Sequence, residues 1–283
     1  MHKKAKRIWL YVAGIIICIV ILAPIYWMFV SAISPKVELL STPPHWFPEN
    51  PTIENFKKLI TGGSGTSGEI PNFAKALLNS TGIALIAGFI SLVLATFAGY
   101  ALAKQFKRFK KAYLNLIVTL RMFPEVALAL SLYLIITKLG LMNTWWGLII
   151  VYTSFILPYS IWMMYGYFLT IPNELDEVSK IDGASTIKSF FKIDLPLVLP
   201  GLSTTFIFTF LMCWDEFFYG LILTSDMRAK TITVAVSEFT TRHLIDYSMM
   251  MAGGLVATIP PLIIAAIFQK YIIQGMTSGA VKG

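Results

Sequence analysis

Four ionisable side chains stand inside otherwise apolar stretches, where a charge is costly unless it is paired or faces a cavity. Arg121 and Glu125 lie four residues apart around Pro124, a spacing that places them on one helical face. They read either as an internal ion pair or as groups lining a path through the membrane. Asp215 and Glu216 sit between Trp214 and Phe217. That combination could hydrogen-bond sugar hydroxyls with Trp214 or Phe217 stacking nearby, or it could bridge to a second membrane subunit. A gate or interface role is preferred. Pro124 removes one backbone hydrogen bond and predicts a kink beside Arg121.

The remaining catalytic repertoire is missing. There is no Gly-x-x-x-x-Gly-Lys-Ser/Thr phosphate loop and no Gly-Lys pair anywhere, and no nucleophile elbow or His-Glu-x-x-His run. Cys18 and Cys213 have no metal-ligand neighbours and read as packing residues, while His2, His45 and His243 are isolated. No catalytic residue and no metal site is expected, so any energy source must lie on another chain.

The elements that must position these groups are membrane helices. The chain has 283 residues, of which 56% are hydrophobic and 13% charged, too apolar a mixture to be covered by a polar surface in water. Charges are absent between Arg7 and Lys36, Lys75 and Lys104, Lys138 and Glu174, Asp194 and Asp215, and Asp246 and Lys270. With the segment holding Arg121 and Glu125, these gaps predict six spans near 8–33, 74–103, 112–137, 145–169, 199–224 and 248–272. The runs are continuous rather than alternating, which argues against strands and for an all-α integral membrane protein. The run from Ile8 to Val30 exceeds a signal-peptide core, so the first helix is expected to remain.

The net charge of +8 is distributed beside the spans, which points to topology and away from nucleic acid. With the N-terminus inside, fourteen basic residues fall on inner segments and eight on outer ones. The rule that positive loops stay inside then places both termini in the cytoplasm. The outer loop after the first span carries Pro43-Pro44, Pro48, Pro51 and a Gly-Ser run from Thr61 to Gly68. It is expected to be a flexible linker enclosing a short helix over Thr52 to Ile60, with Thr52 as its N-cap and Asn55-Phe56 inward. A second outer segment, Thr231 to Phe239, is expected to be ordered and to touch a partner.

Between the fourth and fifth spans lies a cytoplasmic segment, 171–200. Pro172 followed by Glu174, Asp176 and Glu177 predicts a helix from Glu174 to Ile181. Asp182-Gly183 supplies a turn, a second helix runs from Ala184 or Ser185 to Ile193, and Leu195-Pro196 is expected to stop it. Ile187, Phe190, Phe191 and Leu195 make one apolar face. Such a helix pair suits a membrane surface and a protein partner equally well.

The spacing from Glu177 through Asp182-Gly183-Ala184 and Phe190 to Leu195-Pro196 and Pro200 resembles the signature loop of permease subunits of ATP-binding-cassette (ABC) importers, which begins Glu-Ala-Ala. The chain departs from that pattern at Val178 and Ser179. Arg121-Met122-Phe123-Pro124, Leu139 to Thr144, Trp214 to Phe217 and Gln269-Lys270-Tyr271 through Gly279 to Gly283 resemble permeases of carbohydrate importers, the maltose and trehalose group above all.

The resemblance implies a type I importer permease fold. Residues 1–72 would form the first helix and outer loop, 73–272 a five-helix transport core with the coupling loop, and 273–283 a cytoplasmic tail. It implies that Glu177, Ile181, Asp182, Gly183, Ala184, Phe190, Leu195 and Pro196 couple the chain to an ATPase dimer, with Gln274 to Gly283 as a second contact. ATP and Mg would be bound on that ATPase, and this chain would bind no cofactor. A second homologous permease, an extracytoplasmic sugar-binding protein and membrane lipid complete the expected partners, and maltose, trehalose or a related oligosaccharide the expected cargo. Competing readings are a permease for glycerol phosphate or another small polar solute, a membrane enzyme acting on lipid-linked sugars, and a passive channel.

Overall fold

A computed structural model describes residues 2–43, 45–65, 68–70, 72–106, 110–240 and 246–280; of 2–6, 63–65, 68–70, 118, 121 and 271–280 only the backbone is described. The predicted apolar runs are helical even where they are rich in Ile and Val, because helices satisfy their own backbone groups without water. In chain order these helices are α1 (His2–Ile33), α2 (Lys36–Leu39), α3 (Glu54–Thr61), α4 (Phe73–Tyr100), α5 (Lys110–Arg121), α6 (Glu125–Lys138), α7 (Trp145–Phe168), α8 (Asn173–Ile181), α9 (Thr186–Ser189), α10 (Leu195–Leu197), α11 (Leu199–Trp214), α12 (Phe218–Leu223), α13 (Ile232–Ser237) and α14 (Tyr247–Ala280). Two π-helical turns, Ala101–Gln105 and Phe190–Asp194, continue α4 and α9.

Among the described residues, four unbroken segments are long and apolar enough to cross a membrane: Arg7–Ile33, Phe73–Gln105, Trp145–Phe168 and Tyr247–Lys270. The other two expected spans are interrupted. The third breaks at 122–124 into α5 and α6, where Pro124 has extended backbone angles and serves as the N-cap position of α6. The fifth, α11, ends at Trp214, and α12 follows after a three-residue break. Before it, the segment Thr186–Leu197 meets Leu199–Trp214 at a bend of 73°. The helix therefore turns at Val198 rather than stopping at Leu195-Pro196. Pro196 sits inside the first turn of α10, where its missing N–H costs little.

The chain divides into two compact units, one of residues 1–75 and 235–259, the other of 76–234 and 260–283. In the first, the end of α1 receives hydrogen bonds from Thr52 N to Ile33 O (2.8 Å) and from Asn55 Nδ2 to Ala32 O (2.8 Å). The helix α3 starts two residues later than expected, with Ile53 at the N-cap. Thr52 Oγ1 instead accepts from Glu54 N (3.1 Å). Part of the Gly-Ser run is paired, as antiparallel strands β1 (Gly63–Gly65) and β2 (Gly68–Ile70) with Gly63 opposite Ile70. Phe73 stacks on Phe239 at 5.9 Å.

In the second unit, α4 and α7 approach at Gly99. A Cβ there would lie 2.8 Å from Met164 Cβ and from Tyr165 N, so only glycine permits the approach. At the other end of these helices, Asn79 takes a hydrogen bond from Trp145 Nε1 (3.0 Å) and donates to the carbonyls of Met227 and Lys230. Ser80 Oγ accepts from Ile232 N (2.7 Å). The expected order over Thr231 to Phe239 is present, and α13 is its helical part.

Candidate functional site

The segment 171–200 forms the helix pair expected from its sequence. Glu174 and Asp176 occupy the first turn of α8 and Lys180 its last, each charge complementing the helix dipole. Gly183 follows with φ +73°, a left-handed conformation that an L side chain resists. The turn is closed by Ala184 N to Ser179 O (2.9 Å). Ser185 caps α9, its hydroxyl accepting from Lys188 N (3.3 Å).

The predicted coupling residues separate onto two faces. Glu177, Ile181, Asp182 and Gly183 are exposed, Ile181 to 85%, and Ile187 to 72%. An added Cβ at Gly183 meets nothing within 4 Å. Ala184 is half-buried and Pro196 exposed. Phe190 is the reverse, 4% exposed among Tyr100 (4.7 Å), Phe97 (5.4 Å), Phe168 (6.2 Å) and Phe191 (4.9 Å). Leu195 packs against the same cluster. Phe190 and Leu195 thus fasten the loop to α4 and α7, and the apolar residues left outside include Val178, Ile181 and Ile187.

The two positions that depart from the Glu-Ala-Ala pattern have different fates. Val178 is 54% exposed. Ser179 is buried, and its hydroxyl is hydrogen-bonded to Ser189 Oγ (3.0 Å).

Sequence reasoning missed Lys104, counted there only as a topological charge. Its ammonium pairs with Asp176 Oδ2 at 2.8 Å with a side chain 3% exposed. It also donates to Ile171 O (3.0 Å) and Asn173 Oδ1 (3.2 Å). Asp194 is fully buried, and neither of its oxygens meets a hydrogen-bond donor among the described residues. Burial first, then the charge of Asp176, raise its pKa to about 6, against a lowering pull from Lys104.

The predicted path residues are only partly assembled. Glu125 and Glu216 line one cavity of about 50 Å³ with Tyr152, Phe155, Ile156, Met212 and Tyr219, room for a water or two. Glu216 accepts from Tyr219 N (2.7 Å) and Gly220 N (3.1 Å), so it caps α12. Glu125 is exposed, and its carbonyl accepts from Tyr219 Oη (2.8 Å). Asp215 is exposed. Trp214, which one of the two readings had stacking on a sugar, is 3% exposed and stacked on Phe210 at 5.7 Å. The Arg121 side chain, and with it the expected ion pair to Glu125, lies outside the described residues. Residues 274–280 of the second expected contact continue α14, and 281–283 lie outside the described residues.

The sequence matches the family described as binding-protein-dependent transport system inner membrane component over residues 91–278. It is 34% identical over 283 residues to the trehalose/maltose transport system permease protein of Thermococcus litoralis, covering 100% of this chain and 99% of that one. Identity is again 34% over 264 residues with the trehalose transport system permease protein of Mycobacterium tuberculosis, covering 93% of each. It is 29% over 277 residues, 98% of each chain, with the diacetylchitobiose uptake system permease protein of Streptomyces coelicolor. In fold the chain is similar to a bacterial ABC transporter that imports the acidic polysaccharide alginate, with a TM-score of 0.75, 19% identity and coverage of 94% of this chain and 97% of that one.

Proposed function

The chain belongs to the family of binding-protein-dependent transport system inner membrane components, and from that premise we propose that it passes maltose, trehalose or a related oligosaccharide inward while segment 171–200 docks on the ATPase. It is a multi-pass inner-membrane permease subunit of a carbohydrate-uptake ABC importer, a transporter component rather than an enzyme, with the ATPase on a separate subunit. The cargo reading rests on two relatives for trehalose or maltose that match over 93% or more of the chain. A second reading, another glycoside, is favoured by the diacetylchitobiose and sulfoquinovosyl glycerol permeases at 29% and 30% identity.

The observation that carries the docking role is the division of the loop into an anchored face and an exposed one. Phe190 is buried between α4 and α7 while Glu177, Ile181, Asp182, Gly183 and Ile187 face outward. A rigid, apolar-and-acidic knob of this kind suits a cleft on a protein partner. The assembly contains this chain, a second homologous permease, an ATPase dimer that binds ATP and Mg, and an extracytoplasmic binding protein. Both termini lie in the cytoplasm, a placement supported by the basic residues on the inner segments.

The test is reconstitution with the sister permease, ATPase and binding protein in proteoliposomes. Uptake of radiolabelled trehalose or maltose that requires ATP is expected. The docking role is checked with Ile181→Glu and Ile187→Glu, which should release the ATPase on purification. Retention of the ATPase by both variants would overturn it.

A further inference from the structure

One π-helical turn, Ala101–Gln105, ends the α4 span, the other, Phe190–Asp194, lies within the loop, and an aromatic contact of Tyr100 with Phe190 at 4.7 Å links the two places. A π turn widens the helix and re-aims the side chains that follow, and such turns gather at functional positions. Here the first one carries Lys104 and the second carries Asp194.

The Lys104 ammonium has three hydrogens and three acceptors, on three successive parts of the chain. Ile171 O (3.0 Å) follows the end of α7, Asn173 Oδ1 (3.2 Å) begins α8, and Asp176 Oδ2 (2.8 Å) is in the first turn of α8. One side chain on the end of α4 thereby sets the angle at which α8 leaves α7. A buried ion pair contributes little net stability, since desolvating both charges offsets their attraction, but it is demanding in geometry. Replacing it with packed apolar groups would hold the helices together equally well and orient them less.

We propose that Lys104 is a positioning residue for ATPase coupling: through Ile171, Asn173 and Asp176 it makes α8 and the end of the α4 span move as one piece. The inference rests on the docking role of segment 171–200. A force applied to the exposed face at Ile181 reaches the membrane through two routes, the Phe190 cluster behind α9 and the Lys104 pin behind α8. The aromatic cluster is apolar and non-directional, so it tolerates rotation of α8. The pin does not, because three hydrogen bonds from one ammonium fix both direction and distance.

The readout is sugar moved per ATP hydrolysed in the reconstituted importer. Lys104→Met and Asp176→Asn are expected to keep the ATPase bound and to lower this ratio, by about tenfold for Lys104→Met. Lys104→Arg keeps the charge but exchanges the compact ammonium for a planar fork in a buried site, so it is expected to lower the ratio by less than Lys104→Met does. Should Lys104→Met fail to assemble, Asp176→Asn decides, because its amide keeps the shape and leaves Lys104 two other acceptors. An unchanged ratio in Asp176→Asn overturns the inference, whether transport and hydrolysis fall together or neither falls. That result leaves docking standing, whereas retention of the ATPase by Ile181→Glu and Ile187→Glu removes docking itself.

Discussion

Ser179 and Ser189 share a hydrogen bond of 3.0 Å between their hydroxyls, both side chains buried, and it ties the first helix of the loop to the second. Ser179 stands at a position where the signature pattern has alanine, so the polar group has been matched by a partner ten residues on. Ser179→Ala would leave the Ser189 hydroxyl buried without that partner, at a cost of about 1–2 kcal/mol. The double variant with Ser189→Ala should recover most of that loss, since removing both partners is nearly neutral. Thermal unfolding of the four chains in detergent gives the cycle, and additive single effects would show the bond to be unimportant.

Gly183 separates backbone strain from docking. Its φ of +73° penalises any side chain, by roughly 1–2 kcal/mol for an ordinary residue and less for asparagine. Beyond its two chain neighbours, no described residue has an atom within 4 Å of an added Cβ. Gly183→Asn is therefore expected to keep the ATPase, and Gly183→Trp to lose it by filling space that the partner needs. When the chain is alone, Gly183→Asn is expected to unfold close to the parent temperature and Gly183→Trp a few degrees below it. Co-purification decides, and equal ATPase retention by the two variants would place Gly183 outside the docked surface.

What was legible in the sequence follows from what is local. The runs that became α1, α4, α7 and the first part of α14 are apolar without interruption, so hydropathy locates them. Likewise the α8 helix and the turn at Gly183 are set by Pro172, Glu174, Asp176 and the Asp-Gly pair within twelve residues. The break after Trp214 was hidden because it depends on Glu216 turning its carboxylate onto backbone N–H groups of the same span, and hydropathy sees only a charge. The role of Lys104 was hidden for a different reason: its acceptors are 67 to 72 residues away, and a basic cluster near a membrane end already had an explanation. Two faces were misassigned. Phe190 is apolar at helical spacing like Ile187, yet one is 4% and the other 72% exposed, because Phe190 faces the aromatic rings of Phe97, Tyr100 and Phe168 on distant helices. Trp214 similarly faces Phe210 rather than open space.

Asp194 makes stability depend on pH in a predictable direction. Its pKa in the folded chain is about 6, raised from 3.8 by burial and by Asp176, against Lys104. The other titratable group beside it is Tyr100. A raised carboxylate binds its proton more tightly when folded, so the folded state is favoured below pH 4 and loses that advantage as pH rises through 6. The loss is up to about 3 kcal/mol at pH 8. Asp194→Asn, which cannot ionise, should melt several degrees above the parent at pH 8 and close to it at about pH 3.5, below both pKa values. A parent-like melting temperature at both values would mean that the buried carboxylate is satisfied by another group.

Glu216 can be tested as a helix cap against the alternative of a sugar contact. Both oxygens of its carboxylate are engaged by Tyr219 N and Gly220 N, and Thr233 Oγ1 donates to its backbone carbonyl (2.8 Å). The cavity it shares with Glu125 is about 50 Å³, and Trp214 beside it is packed away. In this arrangement Glu216 holds the break between α11 and α12, and the cavity beside it has no room for a sugar ring. Glu216→Gln keeps one acceptor and should transport with a sugar KM within about threefold of the parent, because capping tolerates a neutral oxygen. Glu216→Ala removes the cap and should lower stability by about 1–2 kcal/mol, with transport falling in proportion to folded protein. The sugar-contact alternative predicts the opposite ordering. A KM raised tenfold or more in Glu216→Gln, at an unchanged melting temperature, would identify a group whose charge is read by the cargo.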